Sequence, residues 1–248
     1  MIPRDRILEK LDSLLRSNDY QGAKRLLEYW LSEAEQTGDQ SGRLLIKNEL
    51  MGLCRKLGER EEALKFAESA LLQVAKMGIE NNVGAATTYL NSATVFKAFG
   101  KPEESLPLFQ KARIIYEGNL TPDDERLGGL YNNMGLTLVD LKRFSEAEDF
   151  YIKAISVMKA NPQKEPEQAI TYLNMASAAE AEQGLAAGKE KISELAEKAM
   201  ALMDEGKDRT DGNYAFVCEK CASVFGYYGY EHYAQELKER SRRIYEGT

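Results

Sequence analysis

The chain contains little cysteine, histidine or tryptophan and has no long apolar run. Three cysteines, one histidine and one tryptophan occur in 248 residues, too few cysteines for a disulfide framework. No segment approaches the roughly 20 apolar residues that a membrane-spanning helix needs. The first residues include no apolar signal segment. We therefore expect a cytoplasmic protein without a membrane anchor.

Positively charged residues are fewer than negatively charged ones. The chain has 33 lysines and arginines against 40 aspartates and glutamates, a net charge of −7 and a pI of about 5.1. Lysine and arginine supply most of the affinity of proteins for phosphate backbones and for anionic membrane surfaces. We therefore expect neither nucleic acid nor a membrane surface to be a partner.

What the chain does contain is an internal repeat of about 42 residues. Ala70, Ala112 and Ala154 follow one another at that interval, and so do Gly58 and Gly100. Apolar residues recur between these points with the period of an α-helix, and no alternating stretch indicates a strand. A fixed period of this length predicts stacked helix pairs rather than one globular core.

Turn residues divide the repeat into six predicted helix pairs. Gly58 and Gly100 lie where a helix has to stop, whereas the next pair has Lys142 at that place. Residues 184–188, with a glycine at each end, lengthen the turn in the fifth pair. The predicted pairs span residues 3–38, 41–78, 84–118, 124–160, 166–205 and 212–246. We expect one all-α solenoid over residues 1–248.

The fourth pair carries a recognisable pattern of large and small side chains. Its members are Tyr131, Gly135 and Leu138 in the first helix and Ala147, Tyr151 and Ala154 in the second. The small residues allow two helix backbones to approach closely, and the large ones fill the space beside them. This pattern resembles the tetratricopeptide repeat, and the period of about 42 is similar to the longer repeats of kinesin light chains. The resemblance implies a right-handed superhelix whose concave groove binds a peptide.

Three asparagines recur in the first helices of the third to fifth pairs. Asn91, Asn133 and Asn174 are 42 and then 41 residues apart, and the resemblance places them on the concave face. A carboxamide both donates and accepts, so it can hold a peptide main chain without reading its sequence. The alternative is that these amides join neighbouring helices or occupy a tolerated polar position. Neighbouring candidates for peptide contact are Thr87, Thr94, Lys97, Asp140, Ser177 and Glu180.

Four tyrosines cluster near the last turn, at positions 227, 228, 230 and 233. Tyr227, Tyr228, Tyr230 and Tyr233 together offer a large aromatic area, and tyrosine is favoured at interfaces because little rotamer entropy is lost there. One interpretation is that this end mediates self-association into a homodimer. The other is that the rings cover the end of the last helix pair.

The two cysteines of the Cys218–Cys221 segment invite a zinc or redox interpretation. The other possible ligands, Cys54 and His232, are distant in the sequence, and all three cysteines fall on helix-packing positions of the repeat. A free cysteine at such a position behaves as a small apolar residue. His232 has no serine or cysteine nucleophile in a matching context. We therefore expect no metal, no cofactor and no enzymatic activity.

The sequence predicts a non-catalytic protein-interaction module. The expected partner is a protein or peptide segment bound in the concave groove of the central pairs. Two alternatives stay open: a scaffold that associates with itself through the tyrosine-rich end, and a sensor of a short signalling peptide.

Overall fold

Residues 1–247, which the computed structural model describes, form twelve α-helices and no strand. The helices are α1 (Arg4–Arg16), α2 (Tyr20–Gln36), α3 (Gln40–Leu57), α4 (Arg60–Met77), α5 (Val83–Ala98), α6 (Pro102–Asn119), α7 (Glu125–Asp140), α8 (Phe144–Lys159), α9 (Glu165–Gln183), α10 (Lys189–Glu205), α11 (Gly212–Tyr227) and α12 (Glu231–Glu246). Each odd-numbered helix packs against the helix that follows it. The all-α fold of stacked helix pairs predicted from the period is confirmed.

The helices group into two compact units. The first unit comprises residues 1–119 with α1 to α6, and the second begins at Leu120 and holds α7 to α12. Within the first unit, α3 contacts α5 as well as its sequence neighbours, and within the second unit α9 contacts both α7 and α11. The first helices α3 and α5 therefore lie side by side in the first unit, and α7, α9 and α11 form a layer in the second.

Left-handed residues end several helices, as the turn residues predict. Gly58 and Gly100 both have a φ of +75°, a conformation that glycine adopts without a steric penalty. Lys142 takes up the same conformation with a φ of +59°, and for a residue with a Cβ atom this costs roughly 1–2 kcal/mol. The turn between α9 and α10 contains the extra residues 184–188, and Gly184 there has a φ of +81°. The turn closes without glycine in one pair and is lengthened in another.

The predicted fit of large against small side chains is visible between α7 and α8. Gly135 lies against the buried ring of Tyr151, and a Cβ atom at Gly135 would be only 2.5 Å from Tyr151 Cε1. Ala147 and Ala154 are completely buried on the facing helix. A larger residue at any of these points would push the two helices apart.

Candidate functional site

Two pairs of asparagine side chains join first helices inside the units, one pair in each unit. In the first unit, Asn91 Nδ2 on α5 donates to Asn48 Oδ1 on α3 at 3.0 Å. In the second unit, Asn174 Nδ2 on α9 donates to Asn132 Oδ1 on α7, also at 3.0 Å. The bonded residues are 43 and 42 positions apart in the chain. We call these the amide pairs, and each occurs where two first helices pack side by side.

The amide pairs differ in the hydrogen-bonding capacity that they leave open. Asn48 Nδ2 also donates to the Leu44 carbonyl at 2.9 Å and to Thr88 Oγ1 at 3.1 Å, so its donors are used within the first unit. Asn132 Nδ2 and Asn174 Oδ1 form no hydrogen bond with any of residues 1–247. The pair of the second unit thus leaves more donors open than that of the first, and with Asn132 Nδ2 and Asn174 Oδ1 it offers the donor and the acceptor that a peptide main chain requires.

Asn133 does not join an amide pair. Its Nδ2 donates to the Gly129 carbonyl of its own helix at 2.9 Å. Of the three predicted asparagines, Asn133 and Asn174 lie in the second unit and Asn91 lies in the first. Asn48 and Asn132 were not among the predicted site residues, although they precede Asn91 and Asn174 by 43 and 42 residues, close to the repeat period.

An apolar cleft lies between α9 and α11, next to the amide pair of the second unit. It has a volume of about 280 Å³, and we call it the α9–α11 cleft. Its lining consists of Ile170, Leu173, Asn174, Phe216, Lys220, Cys221 and Val224. Phe216 is 46% exposed although it is large and apolar, and Lys220 Nζ lies 5.5 Å from the centre of its ring. The cleft therefore combines apolar surface with one amide and one cationic side chain.

The predicted contacts Ser177 and Glu180 are bonded to the predicted self-association residues. Tyr227 and Tyr228 donate their hydroxyl protons to the two carboxylate oxygens of Glu180, at 2.5 and 3.0 Å. Tyr228 also lies 3.3 Å from Ser177 Oγ, which itself donates to the Leu173 carbonyl. Burial and the nearby Glu180 carboxylate raise the pKa of Tyr228 to about 12. The two sets of residues therefore form one cluster that joins α9 to the end of α11.

The other two tyrosines pack into the core of the second unit. The ring of Phe225 packs edge to face against the rings of Tyr230 and Tyr233, with distances between ring centres of 6.0 and 5.0 Å. Tyr233 donates to Asp204 at 2.8 Å, and burial together with that carboxylate raises its pKa. Of the four, only Tyr227 is mostly exposed, at 66%. The apolar area offered for self-association is thus much smaller than the number of rings indicates.

The remaining predicted contacts are distributed between the units. In the first unit, Thr87 Oγ1 lies 2.8 Å from the Tyr116 hydroxyl, and Thr94 Oγ1 donates to the Leu90 carbonyl at 2.8 Å. Lys97 is half-buried at the end of α5. Asp140 is exposed at the end of α7 in the second unit. None of these four lines the α9–α11 cleft.

The three cysteines lie in the core, as their packing positions predict. Cys54, Cys218 and Cys221 are free and buried, and burial raises the pKa of Cys218 to about 11. Their thiols are therefore almost entirely protonated at neutral pH.

The carboxylates of Glu59 and Glu62 approach Cys54 closely enough to resemble a metal site. The ammonium group of Lys24 forms ion pairs with both carboxylates, at 2.8 Å with Glu59. These hydrogen bonds raise the pKa of Lys24 and lower that of Glu59. A lysine thus supplies the positive charge that a metal ion would bring.

A family model for the tetratricopeptide repeat matches residues 128–160, which contain most of α7 and all of α8. The match falls on the helix pair in which Gly135 fits against Tyr151. The pair of α7 and α8 is therefore similar to a tetratricopeptide repeat. The resemblance inferred from the side-chain pattern is confirmed. No curated protein sequence matches the chain.

Solved structures of two other proteins are similar to this fold. One holds nearly identical TPR-like repeats assigned to a kinesin light chain of Podosopora anserina, with 19% identity, a TM-score of 0.57, and coverage of 82% of this chain and 94% of the other. Another is BtubC (BKLC) from P. vanneervenii, with 17% identity, a TM-score of 0.59, and coverage of 94% and 91%. At these identities the likeness concerns the fold. Among the described helices of this repeat protein, none is long and apolar enough to cross a membrane.

Proposed function

We propose that this repeat protein is an interaction module that binds an extended peptide segment on the first-helix layer of its second unit. The observation that carries the proposal is the open donor and acceptor of the Asn132–Asn174 pair beside the α9–α11 cleft. The amides hold the main chain of the peptide, and the cleft takes one of its apolar side chains. The tetratricopeptide fold supports this role, because its layer of first helices offers an extended surface rather than a closed pocket.

The geometry supports recognition of the main chain with modest demands on sequence. An amide N–H and an amide C=O are complementary to the C=O and N–H that alternate along any extended peptide. The side-chain preference comes from the cleft, whose lining is predominantly apolar and whose exposed Phe216 ring is available for contact. The predicted contact Asn91 belongs to the amide pair in which both N–H groups of Asn48 are already used, so that pair has fewer open donors. We therefore assign it a secondary role in binding.

Selection from a random peptide library tests the proposal. Peptides that bind the full chain are measured by fluorescence anisotropy against the wild type, Asn132→Ala/Asn174→Ala and Phe216→Ser. Each lost hydrogen bond is worth about 1 kcal/mol, so we expect the double variant to bind roughly tenfold to thirtyfold more weakly. Asn81→Ala is the matched control, because Asn81 is an exposed amide in the first unit.

Two results would contradict the proposal. Equal affinity of the double variant and the wild type for every selected peptide would exclude the amide pair as the main-chain contact. Unchanged affinity of Phe216→Ser would exclude the α9–α11 cleft as the side-chain pocket. Circular dichroism of each variant establishes that its helices are retained.

A further inference from the structure

Lys47 is a buried cation of the first unit without a counter-charge at bonding distance. It lies on α3 and is 5% exposed, and it forms no hydrogen bond or ion pair with any of residues 1–247. In the third and fourth helix pairs the corresponding residues are Tyr89 and Tyr131, whose rings are covered by lysine side chains. A buried charge is costly unless it is paired. The site therefore has a cation where the repeat elsewhere has an aromatic ring.

Two further cations and an amide side chain lie on the same part of α3 and α4 as Lys47. Arg43 precedes it by one helical turn and so lies on the same face of α3. Arg43 Nη2 donates to Gln73 Oε1 on α4 at 3.0 Å, whereas Arg43 Nε is buried and has no hydrogen-bond partner. Lys76, one turn beyond Gln73, is exposed. We call Arg43, Lys47, Gln73 and Lys76 the Lys47 cluster.

The charges around Lys47 leave a positive excess. Burial lowers the pKa of Lys47, and the charges of Arg43 and Lys76 lower it further, while Glu35 is the acid that opposes them. Three cations and one carboxylate leave two positive charges unbalanced. Arg43 is half-buried and Lys76 is exposed, and the Lys47 amine itself keeps some contact with solvent, so a small ion can reach the cluster.

We propose that the Lys47 cluster binds a phosphate group, either as inorganic phosphate or as part of a small phosphate monoester. Such a group carries a charge of about −1.5 to −2 near neutral pH, and its three or more oxygens accept strong hydrogen bonds. The unused Arg43 Nε and the Lys47 ammonium are donors to two of these oxygens, and arginine is suited to this geometry. A ligand with a single carboxylate would balance only part of the positive charge of the Lys47 cluster. This site is separate from the α9–α11 cleft and does not depend on peptide binding.

Thermal unfolding of the full chain tests the proposal. Inorganic phosphate, O-phosphoserine and acetate are compared with chloride at equal ionic strength, in the wild type, Lys47→Met and Lys65→Met. Lys65→Met is the matched control, because Lys65 is an exposed lysine of α4. At a phosphate concentration one hundred times the dissociation constant, we expect the melting temperature of the wild type and of Lys65→Met to rise by about 5 °C or more. Lys47→Met is expected to melt higher than the wild type in chloride and to lose the phosphate effect.

The comparison of inorganic phosphate with O-phosphoserine also identifies the kind of phosphate compound that binds. Equal stabilisation by inorganic phosphate and O-phosphoserine means that the group alone is recognised, and stabilisation by O-phosphoserine alone assigns the site to a phosphate monoester. Three results would overturn the proposal. Acetate could raise the melting temperature as much as phosphate does, Lys47→Met could keep the full rise caused by phosphate, or neither phosphate compound could raise the melting temperature of the wild type. Arg43→Gln, which keeps a donor opposite Gln73, is a second variant and should bind phosphate at least tenfold more weakly.

Discussion

Replacing Gly135 by alanine tests the close fit between α7 and α8. The new Cβ atom would lie 2.5, 2.7 and 2.8 Å from three ring carbons of Tyr151, whereas carbon atoms in contact prefer about 3.5–4.0 Å. The ring is 1% exposed and borders a cavity of only about 20 Å³, so it cannot move far. Overpacking of this kind costs about 1–3 kcal/mol, and the helix propensity of alanine returns up to about 1 kcal/mol.

We therefore expect Gly135→Ala to lower the free energy of unfolding by about 1–2 kcal/mol, measured by urea titration and far-ultraviolet circular dichroism. Gly129→Ala is the matched control on the same helix, because a Cβ atom at Gly129 meets nothing within 4 Å. That substitution should stabilise the protein by roughly 0.5–1 kcal/mol through helix propensity alone. If the two substitutions shift the urea midpoint in the same direction and by a similar amount, the reasoning from the close fit is refuted.

Three further predictions concern stability. The hydroxyl of Tyr151 is buried without a partner, so Tyr151→Phe should raise the free energy of unfolding by about 1 kcal/mol in urea titration, and a decrease would mean that the hydroxyl is bonded. Lys142 has a Cβ atom and a left-handed backbone conformation, so Lys142→Gly should raise the free energy of unfolding by roughly 0.5–1 kcal/mol and the melting temperature with it. A lower melting temperature would contradict the inference that Lys142 is strained. Hydrogen bonds from the backbone N–H groups of Gly42 and Ile2 lower the pKa of Asp39. The stability that its ionised carboxylate contributes is therefore complete above the unfolded pKa of about 3.9 and is lost as the pH falls through the lower pKa of the folded state. Asp39→Asn should accordingly be less stable than the wild type at neutral pH, and the urea midpoints of the two proteins should converge as the pH falls below the unfolded pKa of Asp39.

The positions of the helices were predictable because packing repeats along this chain. Ala70, Ala112 and Ala154 are completely buried, and each marks a second helix that packs on the first helix of its own pair. Gly58 and Gly100 end helices with positive φ angles. These features depend on residues that are close in sequence or one repeat period apart. The spacing of such residues can therefore be recognised in the sequence alone.

The partners of polar side chains were much less predictable. The spacing of Asn91 and Asn174 places them on the first helices, but it does not show that Asn48 and Asn132 accept their hydrogen bonds. The contact between Tyr227 and Glu180 joins residues 47 positions apart, a distance that departs from the repeat period because the fifth pair carries an insertion. Polar pairing depends on rotamers and on local helix offsets, which a pattern of residue types leaves undetermined.

Phe216 shows a further limit of the sequence. Its position in α11 predicts only that it lies on a helix, and a large apolar side chain there is ordinarily expected to be buried. In the structure it is partly exposed at the α9–α11 cleft. The exposed face of α11 is determined by how α9 packs against it, and that packing is a tertiary feature.

The fit of Gly135 against Tyr151 also determines which parts of this chain are exchangeable. The corresponding residues of the third helix pair are Ala93 and Phe109, both buried. A chimera that combined α5 with α8 would place an alanine methyl group where the Tyr151 ring leaves room only for hydrogen. Recombination, in evolution or in protein engineering, is therefore expected to succeed when α7 and α8 move together and to fail when either moves alone. The two-helix segment, rather than the single helix, is the unit that such a chain can duplicate or shuffle.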